Sequence, residues 1–462
     1  MKFGGSLLAS KGGISRAARI IASRAKDDQV VAVVSALGDV TDHLLAAAHD
    51  SKRWKEDRIK HFVHGLRDVH SRALREAGIH RTAKDSAKAE ALFDELGATL
   101  LGVSILGELT RRSIDLILSF GERLSAPIVA DALRADGLDA KALTGGEAGI
   151  ITDDSYGEAL PIEKSARRAV KRRLDRLASE GVVPVVTGFV AEAQNGDLTT
   201  LGRGGSDFTA TLLGTYWGAD EVWIWTDVDG IMTADPRVVP GAGVVRELSY
   251  AEAEEMAVFG AKNMHPLALG PVRLSKVPVR IKNGFNPDSP GTLIWSGQKK
   301  SSEVVKSIAL VRDVGMLTVS GETLAGRPGT AANIFRSLAD SGVNVLMISQ
   351  SVSESNISIV LRKGMFEKAE RALQKGLAQL GGGRSAKVDL EPDVAVVAAV
   401  GAGMKGTPGV AARIFSAVSK AGVNVRMIAQ GSSELNISFV VGSEDGVKAV
   451  RALHTALIAN AG

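Results

Sequence analysis

Two spacings of apolar residues alternate at the start of the chain. From 14 to 25 the apolar residues recur at the spacing of a helix with one buried face, and 30–34 is a continuous run of valine and alanine. Such a short, β-branched run is typical of a parallel strand that is buried on both faces. Together with Gly4 and Gly5, the first residues therefore predict strand, glycine turn, helix and strand.

The same alternation returns twice further along the chain. A helical pattern at 161–179 precedes the apolar run 181–186, and a helical pattern at 207–217 precedes the run 221–225. Alternating strands and helices predict an α/β layered domain with a mostly parallel central sheet. Residues 52–118 are mainly helical and charged, and we expect them to elaborate that sheet.

The last part of the chain contains an internal repeat with an offset of 80 residues. Residues 328–335 match 408–415, and Asn356-Ile357-Ser358 matches Asn436-Ile437-Ser438. Each copy predicts strand, turn, helix, strand, hairpin, strand and helix, which is a ferredoxin-like α+β module. The polar stretch 296–302 before the pair predicts a linker.

These patterns together predict three domains. The α/β layered domain occupies 1–297, the first ferredoxin-like module 303–385 and the second 386–462. The pattern leaves open whether the strand at 303–312 belongs to the first module or is exchanged into the second.

Composition and charge exclude several classes of protein. Hydrophobic residues make up 45% and charged residues 23%, which excludes wholesale disorder and fibrous repeats. The net charge of +4 is too small for a nucleic-acid-binding surface. No apolar run reaches the ~18 residues of a membrane span, and the first residues do not resemble a signal peptide. Because the chain has no cysteine, a reducing, cytoplasmic location is the simplest expectation.

The segment Gly202-Arg203-Gly204-Gly205-Ser206-Asp207 stands directly before a predicted helix. Free amides and the helix dipole at such a start attract an anion, and an arginine offers a planar fork that suits a carboxylate. A glycine-rich turn capped by Asp207 is the simpler alternative. We favour the anion site, because three glycines, an arginine and a serine exceed what a cap needs.

Three further segments are candidates for phosphate binding. Lys2 and the glycines after it could cradle phosphate oxygens at the end of the first strand, although an ordinary tight turn fits this pattern equally well. Residues 226–237 follow the strand that ends at Trp225, and ligands of open α/β sheets bind at the carboxyl ends of strands. Lys262 is either a phosphate contact or a solvated lysine.

Three other patterns are not assigned a function. Residues 401–406 read Gly-x-Gly-x-x-Gly, but the repeat-related segment lacks the middle glycine, so a module turn explains them better than a dinucleotide site. Asp227-x-Asp229-Gly230 resembles a calcium loop whose twelfth position holds Val238 instead of glutamate. We expect His61, His64 and His70 to face solvent rather than to bind a metal.

Taken in chain order, these segments resemble the aspartate kinase family, which joins an amino-acid-kinase fold to two ACT domains. The matching segments are Lys2-Phe3-Gly4-Gly5, Val33-Val34-Ser35-Ala36 with Val40-Thr41, Gly121-Glu122, Thr187-Gly188-Phe189, Leu201 to Asp207, Thr226-Asp227-Val228, Asp235-Pro236-Arg237, Gly260-Ala261-Lys262 and His265-Pro266. They span nearly the whole region before the repeat, and the two modules take the place of the ACT pair.

The resemblance implies a reaction. The γ-phosphoryl group of ATP is expected to pass, with Mg²⁺, to the side-chain carboxylate of L-aspartate, giving 4-phospho-L-aspartate and ADP. This is the first step of lysine, threonine and methionine biosynthesis. A carboxylate of pKa ~3.9 is already ionised at neutral pH and needs no general base. Cations and amide donors should therefore dominate the site, because its task is to stabilise charge on the moving phosphoryl group.

The resemblance also implies roles for individual residues. Lys2, Arg203 and Asp207 are the expected catalytic residues, and Asp207, which orients Lys2 or the Mg²⁺ shell, is the single candidate for contact with the metal. The expected aspartate-binding residues are Thr41, Glu122, Phe189, Arg203 and Ser206. The expected ATP-binding residues are Lys2, Gly4, Gly5, Ser6, Thr226, Asp227, Met232, Arg237 and Lys262.

The ACT pair implies assembly and regulation. ACT domains typically pair edge to edge, so a homodimer or homotetramer is expected, without nucleic-acid or membrane partners. Feedback inhibition by threonine is favoured over lysine, because the repeated Gln…Asn-Ile-Ser pattern most resembles the threonine-sensitive branch. The candidate effector contacts are Asn344, Gln350, Asn424 and Gln430, and hydrogen bonding at strand ends is the alternative explanation for these four residues.

Two alternative functions stay open at this stage. Relatives that phosphorylate acetylglutamate, uridylate or isopentenyl phosphate share a similar lysine–glycine segment, but usually lack the ACT pair and this form of the 203–207 segment. An amino-acid sensor with a degenerate kinase domain is the non-enzymatic alternative. The intact Lys2, Glu122, Arg203 and Asp207 argue against it.

Overall fold

The structure is a computed structural model that describes residues 1–259, 264–297, 303–321, 328–353, 355–379 and 387–459, with the backbone alone for 83 and 84. The described residues form two compact units. The first contains 1–231, 246–253 and 264–297, and the second contains 232–245, 254–259 and the described residues from 303 onward.

The first unit is built on a twisted set of mostly parallel strands. Its strands are β1 (Lys2–Phe3), β2 (Ala32–Val34), β3 (Ala140–Leu143), β4 (Ile151–Thr152), β5 (Val183–Thr187), β6 (Val190–Ala193), β7 (Leu198–Thr200), β8 (Val222–Thr226), β9 (Glu247–Ser249), β10 (Val279–Asn283) and β11 (Thr292–Trp295). In the described part of the chain the main sheet has the order β3-β5-β2-β1-β8-β10-β11-β9, and β4, β6 and β7 form a smaller sheet. The strands from β3 to β10 in this order pair in parallel, and β11 runs antiparallel to β10. The predicted mostly parallel sheet is confirmed.

Helices connect these strands. They are α1 (Gly5–Ala9), α2 (Gly13–Arg24), α3 (Val40–Asp50), α4 (Glu56–Glu76), α5 (Ala83–Leu106), α6 (Arg111–Ala135), α7 (Glu163–Ser179), α8 (Gly205–Trp217), α9 (Tyr250–Val258) and α10 (Pro266–Ser275). The residues of α9 from 254 onward belong to the second unit. The helical character expected for 52–118 is confirmed by α4, α5 and the start of α6. The apolar run at 32–34 is buried on both faces, as its valines predict.

One histidine departs from the expectation of solvent exposure. His61 and His64 on α4 are exposed, but His70 is only 3% exposed. Its Nδ1 lies 2.7 Å from the carbonyl oxygen of Leu66, and its ring meets the edge of Phe93 on α5. Residues four apart lie on the same face of a helix, so His70 falls on the face of α4 that packs against α5. Burial lowers its pKa.

The second unit contains the two repeated modules. Its strands are β12 (Ser307–Ser320), β13 (Met347–Gln350), β14 (Asn356–Arg362), β15 (Lys387–Val400), β16 (Met427–Ala429) and β17 (Asn436–Gly442), and its helices are α11 (Thr330–Asp340), α12 (Phe366–Gln379), α13 (Val410–Lys420) and α14 (Gly446–His454). Among the residues described here they form one sheet in the order β13-β14-β12-β15-β17-β16. Each module runs strand, helix, strand, strand, helix, as the repeat predicts.

The first strand of each module serves both modules. The beginning of β12 pairs with the end of β15, from Ser307 opposite Val400 to Val311 opposite Val396. The end of β12 pairs with β14 of its own module on one side and with the beginning of β15 on the other, where Ser320 lies opposite Lys387. Val305 and Ile308 accordingly belong to the apolar core around α13 and α14. The structure thus places the strand that the sequence left open beside the second module.

No helix within the described residues combines the length and the apolar character that a bilayer span requires.

Candidate active site

Several residues of the candidate site follow the carboxyl ends of neighbouring parallel strands in the first unit. Gly4 and Gly5 follow β1, Ala36 lies shortly after β2, Phe189 follows β5, and Thr226 ends β8. Because β5, β2, β1 and β8 are adjacent in the sheet and parallel, these strand ends meet at one edge. Segments far apart in the sequence thereby come together.

Lys2 and Asp207 form an ion pair at this edge. The Lys2 Nζ lies 2.7 Å from the Asp207 Oδ1, and each side chain is 12% exposed. Lys2 ends up there because β1 is central in the sheet, and Asp207 because it lies in the first turn of α8. Gly204 rather than Asp207 occupies the N-cap position of α8, so the carboxylate does not serve as the helix cap that the simpler interpretation proposed.

The glycines after β1 give the Lys2 ammonium its surroundings. A Cβ added at Gly4 would lie 3.6 Å from the Lys2 Nζ, and one added at Gly5 would lie 2.6 Å from the carbonyl oxygen of Ala36. The Gly4 amide donates to the carbonyl of Trp225 and is thereby engaged. In the described part of the chain the amides of Gly5 and Ser6 have no such acceptor, so they and the ammonium fit an anionic phosphate.

Glu122 lies in the middle of α6 with its carboxyl group buried. Its Oε1 accepts a hydrogen bond of 3.1 Å from the amide of Ala36, and its Oε2 has no hydrogen-bond partner among the described residues. Burial raises the pKa of Glu122 to about 8, and the nearby charge of Lys2 only partly opposes that shift. At neutral pH the carboxyl group is therefore largely protonated, and a cation bound at its free oxygen would favour the ionised form. A Cβ added at the neighbouring Gly121 would lie 3.7 Å from the Thr41 Oγ1. Thr41 therefore lies beside this turn of α6.

Phe189 is held in an unusual backbone conformation. Its φ of 65° is left-handed, a region that costs a non-glycine residue roughly 1–2 kcal/mol. Its amide donates to the Thr209 Oγ1 at 2.9 Å and its carbonyl accepts from Leu201. The neighbouring Gly188 packs directly on Ser206, where an added Cβ would lie 2.5 Å from the serine Oγ. Phe189 and Ser206 therefore belong to one cluster.

Arg203 is displayed in the loop before α8. It is exposed, and it lies between Gly202 and Gly204, whose φ values of 72° and 71° both require glycine. Within the described residues its guanidinium has no ion pair or hydrogen bond. A planar cation presented in this way suits a carboxylate ligand.

The expected nucleotide residues are divided between the two units. Thr226 donates to the Asp227 Oδ1 at 3.1 Å, just beyond the Trp225 carbonyl that binds Gly4. Met232 and Arg237 belong to the second unit. There Ser307 donates to the Met232 carbonyl, and Arg237 pairs with Asp235, which lowers the pKa of that carboxyl group. Lys262 lies outside the described residues.

The four candidate effector residues occupy equivalent places in the modules. Asn344 and Asn424 precede β13 and β16, and Gln350 and Gln430 end or follow them. All four are exposed. Among the described residues the strands β13 and β16 end the six-stranded sheet, and they also lie near each other, with Met347 and Met427 in one buried cluster.

Two residues of the site escaped the sequence patterns. The Ala36 amide orients Glu122, and the Thr209 hydroxyl holds Phe189. Backbone groups carry no sequence signal, so Ala36 was not predictable. Thr209 did carry one, because it stands four residues after Gly205, the spacing of one helical turn.

Comparison with known proteins agrees with this geometry. Residues 1–283 match the amino acid kinase family, and 317–377 and 397–457 match the ACT domain. The sequence is 34% identical to chloroplastic aspartokinase 2 of Arabidopsis thaliana, over 99% of this chain and 83% of the relative. It is also 34% identical to chloroplastic aspartokinase 3 of the same plant, over 99% of this chain and 81% of that relative.

The chain belongs to the aspartokinase family. Solved aspartokinases also share its structure. E. coli aspartokinase III in complex with aspartate and ADP (R-state) has a TM-score of 0.83 at 29% identity, covering 99% of this chain and 98% of the other. The same enzyme in complex with lysine and aspartate (T-state) has a TM-score of 0.81 with the same identity and coverage. The predicted amino-acid-kinase fold with two ACT domains and the predicted aspartate kinase activity are confirmed.

Proposed function

We propose that this aspartokinase transfers the γ-phosphoryl group of ATP to the side-chain carboxylate of L-aspartate at the carboxyl edge of β1, β2, β5 and β8. The observation that supports this site most directly is the Lys2–Asp207 pair beside the glycines of β1. The product is 4-phospho-L-aspartate, made in the first step of lysine, threonine and methionine biosynthesis.

Lys2 is the proposed electrostatic catalyst. Two anions have to meet in this reaction, and negative charge spreads over the moving phosphoryl group. A fixed ammonium stabilises that charge without having to reorganise during the reaction. Asp207 fixes the ammonium, and the amides of Gly5 and Ser6 are the proposed donors to phosphate oxygens. We expect Gly4 to provide close approach rather than a hydrogen bond, because its amide already binds Trp225.

Glu122 and Arg203 are proposed to recognise the two ends of aspartate's backbone. The ammonium group would meet Glu122 at its unpartnered Oε2 and favour the ionised carboxylate there. A carboxylate would meet Arg203, which has no partner of its own within the described residues. Thr41, Phe189 and Ser206 would fix the pose between them. The nucleophilic carboxylate needs no base, since it is already ionised at neutral pH.

Five residues are the proposed contacts on the nucleotide side of the site. Thr226 and Asp227 stand next to the phosphate loop, and Met232, Arg237 and Lys262 remain proposed ATP contacts on the basis of the family resemblance. We propose Mg²⁺ as the metal, because it binds through phosphate oxygens and one or two carboxylates. Asp207 is the carboxylate that would contact the metal, unless its role is only to orient Lys2.

The ACT pair is the proposed regulatory element. A homodimer or homotetramer through the ACT domains is proposed on the basis of the family resemblance. Asn344, Gln350, Asn424 and Gln430 would contact the effector beside β13 and β16. Threonine remains our favoured effector from the sequence pattern, and lysine is the alternative, since a lysine complex is known for the E. coli neighbour.

The proposed cellular location rests on the amino-acid composition. We propose the cytoplasm, because the chain contains no cysteine and therefore fits a reducing compartment. The plant relatives are named as chloroplastic.

Turnover with aspartate and MgATP tests the function. The acyl phosphate is trapped with hydroxylamine while ADP release is followed, and acetylglutamate, uridylate and isopentenyl phosphate serve as competing acceptors. We expect turnover with aspartate alone. Turnover with another acceptor would indicate a different kinase activity of the same fold. Nucleotide binding without turnover would favour the non-enzymatic amino-acid sensor.

Titrating the same assay with threonine and lysine tests the regulation. Inhibition by millimolar threonine would support our choice, and inhibition by lysine alone would reverse it. Indifference to both would contradict the proposed effector contacts. Sedimentation with and without each amino acid measures the oligomer.

A further inference from the structure

The strained backbone of Phe189 is joined to α8 by a single buried hydroxyl. Thr209 is fully buried, and its Oγ1 accepts a hydrogen bond of 2.9 Å from the Phe189 amide while donating one of 2.9 Å to the Gly205 carbonyl. The hydroxyl therefore uses both its donor and an acceptor position inside the protein. Water cannot easily replace it, because the side chain is enclosed.

The helix turn that carries Thr209 also carries the proposed substrate contacts. Ser206 and Asp207 lie between Gly205 and Thr209, in the first turn of α8. Gly205 itself touches Phe189, because a Cβ added there would lie 3.0 Å from the Phe189 Cα. Any change in the position of Phe189 relative to α8 would thus alter the spacing between Phe189 and Ser206.

Left-handed backbone persists at a non-glycine residue only where the surroundings fix it. Both backbone groups of Phe189 are bonded, the amide to Thr209 and the carbonyl to the Leu201 amide. The Leu201 bond is a backbone contact and survives any side-chain substitution. The bond to Thr209 is made by a side chain, so it can be removed by a substitution.

We propose that Thr209 is a positioning residue of the aspartate pocket, where its hydroxyl holds Phe189 in the left-handed conformation against the first turn of α8. This inference rests on the proposed function of the site. Thr209 would act through Phe189 and Ser206 rather than by touching a substrate. Its loss should therefore weaken the recognition of aspartate and leave the recognition of ATP nearly unchanged.

Three substitutions separate positioning from general stability. Thr209→Val keeps the shape and removes the hydroxyl, whereas Thr209→Ser keeps the hydroxyl. Thr211→Val is the matched control, because Thr211 is also fully buried on α8 but its hydroxyl only donates to the Phe208 carbonyl. Each variant is measured in the full-length chain for KM of aspartate, KM of MgATP, kcat and thermal unfolding.

Thr209→Val would leave the Phe189 amide without its acceptor, and an unpaired buried amide is costly enough to shift the backbone of Phe189. We therefore expect the KM of aspartate to rise by about tenfold or more. The KM of MgATP should stay within about twofold, and Thr209→Ser should recover most of the affinity. Thr211→Val leaves no buried donor without an acceptor, so it should lower the unfolding temperature less than Thr209→Val and leave the KM of aspartate unchanged.

Three outcomes would overturn the inference while the proposed function stands. The first is a Thr209→Val enzyme whose KM of aspartate equals that of Thr211→Val. The second is an equal rise in the KM of aspartate and the KM of MgATP. The third is a Thr209→Ser enzyme as impaired as Thr209→Val. If the wild-type chain does not phosphorylate aspartate at all, the proposed function fails, and this inference fails with it.

Discussion

The Lys2 ammonium and the Asp207 carboxylate lie 2.7 Å apart, with each side chain largely withdrawn from water. One stands at the end of the first strand and the other in the first turn of α8, so the fold has to be complete before they meet. Removing one member of a buried pair leaves the other uncompensated. The pair therefore links the stability of the site to its electrostatics.

Replacing Lys2 should impair the chemical step more than the binding of aspartate. Lys2→Ala is expected to lower kcat by about 10²–10³-fold, the usual loss for one group that stabilises the transition state. The KM of aspartate should change only a few-fold, because the proposed aspartate contacts are other residues. Steady-state kinetics with both substrates measures this, and the exposed Lys164 on α7 provides Lys164→Ala as the control. Equal losses in kcat and in aspartate affinity would contradict the role assigned to Lys2.

The stability of the ligand-free protein should fall as the pH rises from about 4.5 to 8. In the folded state burial raises the pKa of Glu122 to about 8, whereas the unfolded carboxyl group has its ordinary pKa of about 4.3. Between these values the folded state binds the extra proton, so raising the pH favours unfolding. Glu122→Gln keeps the shape without the titration, and its unfolding temperature should gain on the wild type as the pH rises.

Thermal unfolding at pH 5, 6.5 and 8 measures this difference. Glu163→Gln, on the exposed surface of α7, provides a control that should follow the wild type at all three values. A constant difference between Glu122→Gln and the wild type would show that Glu122 is ionised throughout this range in the folded protein.

The architecture could be predicted from the sequence because its signals are local. A short valine-rich run such as 30–34 is typical of a buried strand. An 80-residue repeat predicts two equivalent modules without any knowledge of their contacts. The glycine-rich segments were recognisable for the same reason. Gly4 and Gly5 follow a parallel strand and precede a helix, which already places them at the ligand-binding edge of the main sheet. The segment 202–207 follows β7 of the smaller sheet, and it was recognisable by the helix that begins after it.

The contacts that tune the site depend on tertiary packing and were not predictable. Glu122 looks like any glutamate in a helix until the Ala36 amide reaches it from another strand end. The left-handed conformation of Phe189 has no sequence signature, because phenylalanine rarely adopts it. His70 was misjudged because a charged helix can still bury one polar residue on its packed face.

The approach between Gly5 and Ala36 should tolerate no side chain. Gly5→Ala would bring a Cβ to 2.6 Å from the Ala36 carbonyl oxygen, and both atoms belong to the backbone. The Ala36 amide also orients Glu122, so the displacement should reach the substrate pocket. We expect at least a tenfold loss of kcat/KM, roughly the consequence of a small misplacement in an active site.

Gly65→Ala provides the matched control for Gly5→Ala. Gly65 lies inside α4 with open space around its missing Cβ, so alanine there should stabilise the helix by about 0.5–1 kcal/mol. Activity should be unchanged. Kinetics and thermal unfolding of both variants measure the contrast, and full activity in Gly5→Ala would contradict the close approach.

Repeat-related asparagines should differ in what they contribute to the second unit. The Asn436 side chain at the start of β17 donates to the Glu255 carboxyl group, while in the described residues the side chain of Asn356, at the start of β14, has no hydrogen bond. Burial raises the pKa of Glu255, and the bond from Asn436 opposes that shift. Losing the donor in Asn436→Ala should therefore weaken the local structure by roughly 1–2 kcal/mol, and Asn356→Ala should have little effect. Hydrogen exchange of peptides covering β16 and β17 in the first variant, and β13 and β14 in the second, measures each change. Faster exchange is expected around Asn436 alone, and equal effects in both modules would mean that the Glu255 bond carries no stability.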